Sequence, residues 1–257
     1  MAYTTPVHTQ PSFYKGGLPV ADASGHRSSE PLLSSILDTL GEEIVSGKQP
    51  EGHTFTLHDL SERFGISRTV AREAMRALEQ LGLVSSSRRV GLRVLPQSEW
   101  NVFDHSVISW RLRSEEQRPA QLASLRDLRD AIEPGAARLA ATNATEEQAR
   151  RLEQLADRIV ELAGQDAGNS DAFQEADLEF HAVMLEASRN EMFIALTQPI
   201  MDIMSGRALY GIMPDDPHVD TMQIHVDLAA AISRGDADAA EDASRRLLRG
   251  VNDFMEM

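Results

Sequence analysis

Asp177 and His181, in the run EADLEFH, stand four residues apart, and His225 follows in MQIHVDL. Residues four apart on a helix share a face, so a carboxylate and an imidazole point the same way and a second imidazole can meet them from a later helix. Converging inside a bundle, such a set is the donor chemistry of a divalent transition-metal site, zinc-like or nickel-like, with three protein ligands. An Asp and a His at this spacing serve equally as a surface pair or as a core histidine with its partner, and spacing leaves those readings open. Arginine carries a second chemistry. Arg68, Arg72 and Arg76 recur every four residues, Arg88, Arg89 and Arg93 follow, and only Glu73 and Glu79 oppose these six between Ser67 and Arg93. That is a local basic surface suited to phosphate backbones. Cysteine is absent, which excludes disulfides, thiolate zinc sites and cysteine nucleophiles.

The arginines must be held by something rigid, and the stretch from Thr56 to Val94 predicts a winged helix-turn-helix. Thr56 lies three residues before Asp59 in a capping-box arrangement, and Leu57, Leu60 and Phe64 form one apolar face. Gly65 permits a sharp turn, and Ser67 can cap a second helix whose apolar stripe is Val70, Ala74, Leu78 and Leu81. Arg68, Arg72 and Arg76 sit two positions from that stripe, about 200° around the helix, so they project from a buried back. Gly82 ends the helix, and Leu83-Val84 with Leu92 and Val94 form extended arms around a tip at Arg88 and Arg89. In this arrangement Arg68, Thr69 and Arg72 are candidates for base edges, and Ser67, Arg88 and Arg89 for phosphate or groove-wall contacts. A solvated arginine face is the ordinary explanation of an isolated basic helix; the adjoining turn and wing favour double-stranded DNA as partner.

At 257 residues and 42% hydrophobic, the chain is long enough for two domains. It has no apolar run near the roughly 20 residues needed to span a bilayer, and its start lacks the features of a secretory signal. A cytoplasmic location without membrane association is therefore expected. The net charge of −15 falls mostly after Pro96, so an acidic body should suppress nonspecific DNA association. Residues 1–29 read as a flexible tail, 30–97 as the winged DNA-binding domain, and 98–257 as a linker helix followed by an all-helical domain. In the first helix of the DNA-binding domain Leu33, Ile36, Leu37, Leu40 and Ile44 recur, ending near Gly47. Ser98 to Leu112 predicts a bridging helix carrying Trp100, Val102, Phe103, Val107 and Trp110. Leu125 to Leu139 marks a helix with a kink at Pro134, Thr145 to Gln148 a capping box, and later helices are predicted over 170–187, 191–210, 219–234 and 236–254. The fold class is mainly α: a winged helix-turn-helix, then an antiparallel helical bundle.

ERFGISRTVAREAMRALEQLGLV resembles the DNA-binding domain of GntR-family bacterial transcription regulators, and the helical region resembles the FCD effector domain of the FadR subfamily, with the bridging segment similar to that of galactonate-type, sugar-acid-responsive repressors. In the first helix of the motif the family commonly has a DNA-contacting arginine where this chain has His58, so operator preference is expected to differ. The resemblance implies metal ligands at Asp177, His181 and His225, matching three of four family positions, while the fourth, a histidine, is Leu247 here. Arg129 and Glu133 match an arginine and a glutamate of the first effector-domain helix, where the arginine commonly faces the ligand. Arg207 and Gln223 are further effector candidates, with helix-surface roles as the alternative for Gln223. Two arginines near a metal suit a small hydroxyl-rich carboxylate. The implied function is a homodimeric, non-enzymatic repressor of sugar-acid catabolism on a palindromic operator. The alternatives are a metal-dependent hydrolase with a DNA-binding appendage, or a metal-free regulator sensing an acyl or other small carboxylate.

Overall fold

The computed structural model describes residues 29–87, 91–165, 170–209 and 219–255; the expected tail, apart from Ser29, and the wing tip at Arg88 and Arg89 lie outside them. Helix α1 (Ser29–Val45) buries Ile36, Leu40 and Ile44 against α3 (Arg68–Gln80). Between them β1 (Thr54–Phe55) leads into α2 (Leu57–Phe64), and β2 (Val84–Ser87) and β3 (Gly91–Val94) form the wing. The sheet is antiparallel in the order β1-β3-β2, with Phe55 opposite Leu92 and Val84 opposite Val94. The strand β1 gives no sequence signal, because two residues cannot show an alternation. The buried side of α3 is Ala71, Ala74 and Leu78, with Val70 and Leu81 only half-buried. The expected stripe thus holds at Ala74 and Leu78 and is widened by Ala71, with Val70 and Leu81 packed at the margin of the same core.

The bridging helix is shorter than its apolar pattern predicts. Gln97–Glu99 is a single 3-10 turn, Trp100 is extended, and α4 runs over His105–Arg113, started by the Asp104 carboxylate accepting from Ser106 N at 2.8 Å. Cap chemistry overrides hydrophobic spacing here, and Phe103 is left exposed outside the helix. Helix α4 is apolar on two sides: Val107 and Trp110 complete the core of the winged domain, while Ile108 and Leu112 pack with Leu125, Ile200 and Met204. A Cβ on Gly41 of α1 would overlap the benzene ring of Trp110, and the indole Nε1 of that residue donates to Asp38 Oδ1 at 2.8 Å. Gly41→Ala should therefore cost about 1–3 kcal/mol through overpacking, read as a fall in Tm of several degrees by calorimetry. An unchanged Tm would show that this helix contact has slack.

The remaining helices build the bundle: α5 (Arg118–Asn143), α6 (Glu146–Ala163), α7 (Asp171–Ala187), α8 (Glu191–Ala195), α9 (Thr197–Leu209), α10 (Val219–Ser233) and α11 (Ala237–Met255). Helix α5 continues through buried Pro134, whose missing N–H removes one rung of the ladder. Thr145 and Gln148 form the capping box that opens α6. The single helix predicted over 191–210 is two, because Pro199 lacks an N–H and is tolerated in the first turn of a new helix. Leu152, Ile159, Phe173, Phe180, Met184, Leu228, Ile232 and Leu247 fill the core between α5, α6, α7, α10 and α11. Among the described residues no helix is long and apolar enough to cross a membrane.

Candidate DNA interface and effector site

The candidate DNA interface begins with local chemistry. The Thr56 hydroxyl accepts from Asp59 N at 3.2 Å and the Asp59 carboxylate accepts from Thr56 N at 2.7 Å, which fixes the start of α2. Gly65, at φ +61, takes the left-handed conformation that turns the chain. Ser67 Oγ then accepts from Val70 N at 3.3 Å and opens α3. On the outer face of α3, Arg68, Thr69, Arg72 and Arg76 are exposed, and none of these arginines pairs with a carboxylate among the described residues, whereas Arg63 and Arg151 are tied to Glu43 and Glu179. Glu79, an acid of α3, accepts from Ser86 N at 2.7 Å and so anchors the wing to the helix. That tie has no sequence signature, since it joins a side chain to a strand amide across a turn. His58 is exposed on α2, 3.9 Å from Glu62. Arg88 and Arg89 lie outside the described residues.

Within the bundle, Asp177 and His181 on α7 meet His225 on α10. One ligand atom from each lies within 4.8 Å of the others. Asp177 Oδ1 is 3.3 Å from His225 Nε2 and 3.7 Å from His181 Nε2. Both imidazoles are buried and Phe180 sets its edge against each, with centroids 5.8 Å and 5.1 Å away. The His225 contact is at ion-pair distance without hydrogen-bond geometry, so both of its buried ring nitrogens lack a hydrogen-bond partner.

Helix α5 supplies the second wall. Arg129 and Glu133 are buried and paired, Nε to Oε1 at 2.5 Å and Nη2 to Oε2 at 3.3 Å. Glu133 Oε2 also stands 3.0 Å from His181 Nδ1. Arg129 can only donate, and its Nη2 stands 3.1 Å from His181 Nε2, which therefore presents its lone pair there, while Glu133 faces Nδ1 at ion-pair distance. Burial pushes the Glu133 carboxyl up, but the Arg129 guanidinium and hydrogen bonds from His181 and Arg129 outweigh it and hold the pKa at about 2. Burial likewise raises Asp177, and His225, His181 and Arg129 overcome it, leaving that carboxyl well below its ordinary value. The result is a buried cluster of two carboxylates, a guanidinium and two imidazoles.

The structure thus brings Asp177, His181, His225 and Arg129 together, with Glu133 linking two of them. Gln223 is not brought in: it is exposed, and two residues from His225 is about 200° around the helix. Arg207 lies on α9, with its side chain outside the described residues. Leu247 on α11 is buried in the apolar core and offers no donor.

Residues 32–94 match the bacterial regulatory proteins of the gntR family, and residues 124–250 match the FCD domain. The chain is 31% identical over 217 residues to the galactonate operon transcriptional repressor of Escherichia coli, covering 83% of this chain and 92% of that one. It is 29% identical over 201 residues to the Uxu operon regulator of Haemophilus influenzae, covering 76% and 71%. The solved structure of Lar, which controls expression of the Listeria monocytogenes agr system, shares the fold with a TM-score of 0.57 at 14% identity, covering 88% of this chain and 96% of that one.

Proposed function

The chain belongs to the gntR family of bacterial regulatory proteins, with an FCD domain, and from that premise we propose that it represses sugar-acid catabolism genes and senses an aldonate or uronate in the bundle pocket. It is a DNA-binding transcription regulator, not an enzyme, which sets aside the hydrolase alternative. The relatives that act on galactonate and uxu operons supply the substrate class. The observation that carries the reading is the Arg129 guanidinium beside Asp177, His181 and His225, because guanidinium binds a carboxylate through paired hydrogen bonds. Dimerisation follows from the operator: two recognition helices must meet half-sites about 34 Å apart.

The donor set fits a divalent transition metal. His225 has two buried nitrogens without partners, and Glu133 fixes His181 with Nε2 presented. Asp177, His181 and His225 would hold the ion, and Glu133 would orient one ligand in the manner common to metal-bound histidines. When bound, a zinc-like or nickel-like ion supplies open positions for a carboxylate and a hydroxyl of the effector. Arg129 now donates to His181 Nε2, so this hydrogen bond must be given up before that nitrogen can bind metal, which would turn one Nη2 N–H toward the effector while Glu133 keeps the guanidinium in place. A metal-free reading is favoured by the same Arg129 contact and by Leu247, which leaves the set at three.

Two measurements separate them. Protein purified without chelator should contain about one transition metal per chain by elemental analysis, lost in His225→Ala; an empty wild-type site supports the metal-free reading. Across a panel of aldonates and uronates, D-galactonate included, a selective ligand should raise Tm by several degrees at concentrations far above Kd. That shift, taken from each variant's own baseline, should vanish in Arg129→Ala. If it persists there, the pocket assignment is wrong.

A further inference from the structure

Two acids interrupt the arginines between Ser67 and Arg93, and one of them stands in line with the basic ridge. Arg72, Arg76 and Glu79 lie at positions i, i+4 and i+7 of α3, which share one helix face. A carboxylate there repels the phosphates that the arginines attract. Its contact is with the wing: Glu79 Oε1 accepts from Ser86 N at 2.7 Å.

That amide is available because of the ladder. The sheet order β1-β3-β2 makes β2 an edge strand, and Leu95 N donates to Leu83 O at 2.9 Å just before the pairing of Val84 with Val94. Bonded and non-bonded pairs alternate in an antiparallel ladder. Ser85 with Arg93 and Ser87 with Gly91 are therefore bonded pairs, whereas Ser86, opposite Leu92, turns its N–H off the outer edge. Glu79 meets that edge donor. Nearer the base the hairpin is already fixed: Leu83 N donates to Leu78 O at 3.0 Å, Asn101 N donates to Leu81 O at 2.9 Å, and a Cβ on Gly82 would overlap Glu99 O. The Glu79 tie falls about 10 Å further along the strand, where any rotation about the base produces a larger displacement.

We propose that Glu79 is a positioning residue for DNA binding: by holding Ser86 it sets the angle between the wing strands and α3, so that helix and wing reach one duplex as a preformed pair. A helix in the major groove and a wing on flanking backbone must be placed together, and ordering one of them at the moment of binding lowers affinity. This gain offsets the repulsion from a carboxylate in the arginine ridge. The DNA part rests on α3 as the recognition helix, which Arg68→Ala with Arg72→Ala tests by itself; the tie does not rest on it.

The test uses the full chain and breaks the tie from each side. Glu79→Ala removes the acceptor, and Ser86→Pro removes the donor without touching the ladder, because that N–H faces outward on an edge strand. Glu79→Gln keeps an acceptor oxygen and discards the charge. On the DNA upstream of the protein's own gene, at low salt, Glu79→Ala and Ser86→Pro should each weaken binding by about tenfold. The double variant should be no weaker than either, and Glu79→Gln should bind at least as tightly as wild type. In the free chain, amide exchange at Ser86 should quicken about tenfold in Glu79→Ala and stay near wild type in Glu79→Gln. Each variant should keep Tm within a few degrees, since Glu79 is half-buried and Ser86 exposed; if Ser86→Pro does not fold, the contrast between Glu79→Ala and Glu79→Gln still decides. Tighter binding by both Glu79 variants overturns the proposal, because Glu79 would then act only as a repelling charge. Multiplied losses in the double variant, or unchanged Ser86 exchange in Glu79→Ala, overturn it too.

Discussion

Arg68→Ala combined with Arg72→Ala should lower affinity for specific operator DNA by about 100-fold or more, since each well-placed side chain contributes about 1–3 kcal/mol of base discrimination. Both side chains are exposed on α3 and pair with no carboxylate among the described residues, so their loss removes nothing from the folded core. Circular dichroism and Tm should be unchanged. The salt dependence should also flatten, because fewer phosphates are neutralised. Arg151→Ala, on α6 and paired with Glu179, is the control and should bind as wild type. The measurement is fluorescence anisotropy on the DNA upstream of the protein's own gene, with a scrambled duplex for comparison. Affinity within twofold of wild type would place the recognition surface elsewhere.

The second large effect belongs to Glu133. Glu133→Gln keeps shape but leaves the Arg129 guanidinium buried without its carboxylate partner, and breaking a buried pair from one side costs about 3–5 kcal/mol. Asp177 close by offsets part of that, so a fall in Tm of about 10 °C is expected. The pH dependence has a definite sign. The folded pKa is about 2 against an ordinary 4.5, so the stabilisation is complete above the unfolded value and is lost as pH falls toward the folded one. The gap between wild type and Glu133→Gln should therefore be flat above about pH 5 and shrink below about pH 4. A gap constant down to pH 3 would mean that Glu133 is not the charged partner. Should a metal occupy the neighbouring set, Glu133→Ala should also weaken it by about 10–100-fold, because His181 loses the acceptor that orients it.

Sequence alone determined the features whose causes lie within a few residues. The Thr56–Asp59 capping box, the Ser67 cap, the turn at Gly65 and the exposed arginines of α3 depend on neighbours along one helix, and all follow from periodicity and cap chemistry. The donor types Asp177, His181 and His225 were legible too, since four-residue spacing fixes a shared face. Where only apolar spacing spoke, it misled: Asp104 started α4 later than the tryptophan pattern suggests, and Pro199 divided one predicted helix into two. Tertiary structure decided the rest. Glu133 reaches His181 from another helix, Gln223 turns outward while His225 turns in, and Leu247 is absorbed into the core. Local backbone preferences act over one or two turns, but these contacts are set by how closely packed helices cross, which alanines and glycines such as Gly41 and Gly206 permit only once their partners are in place.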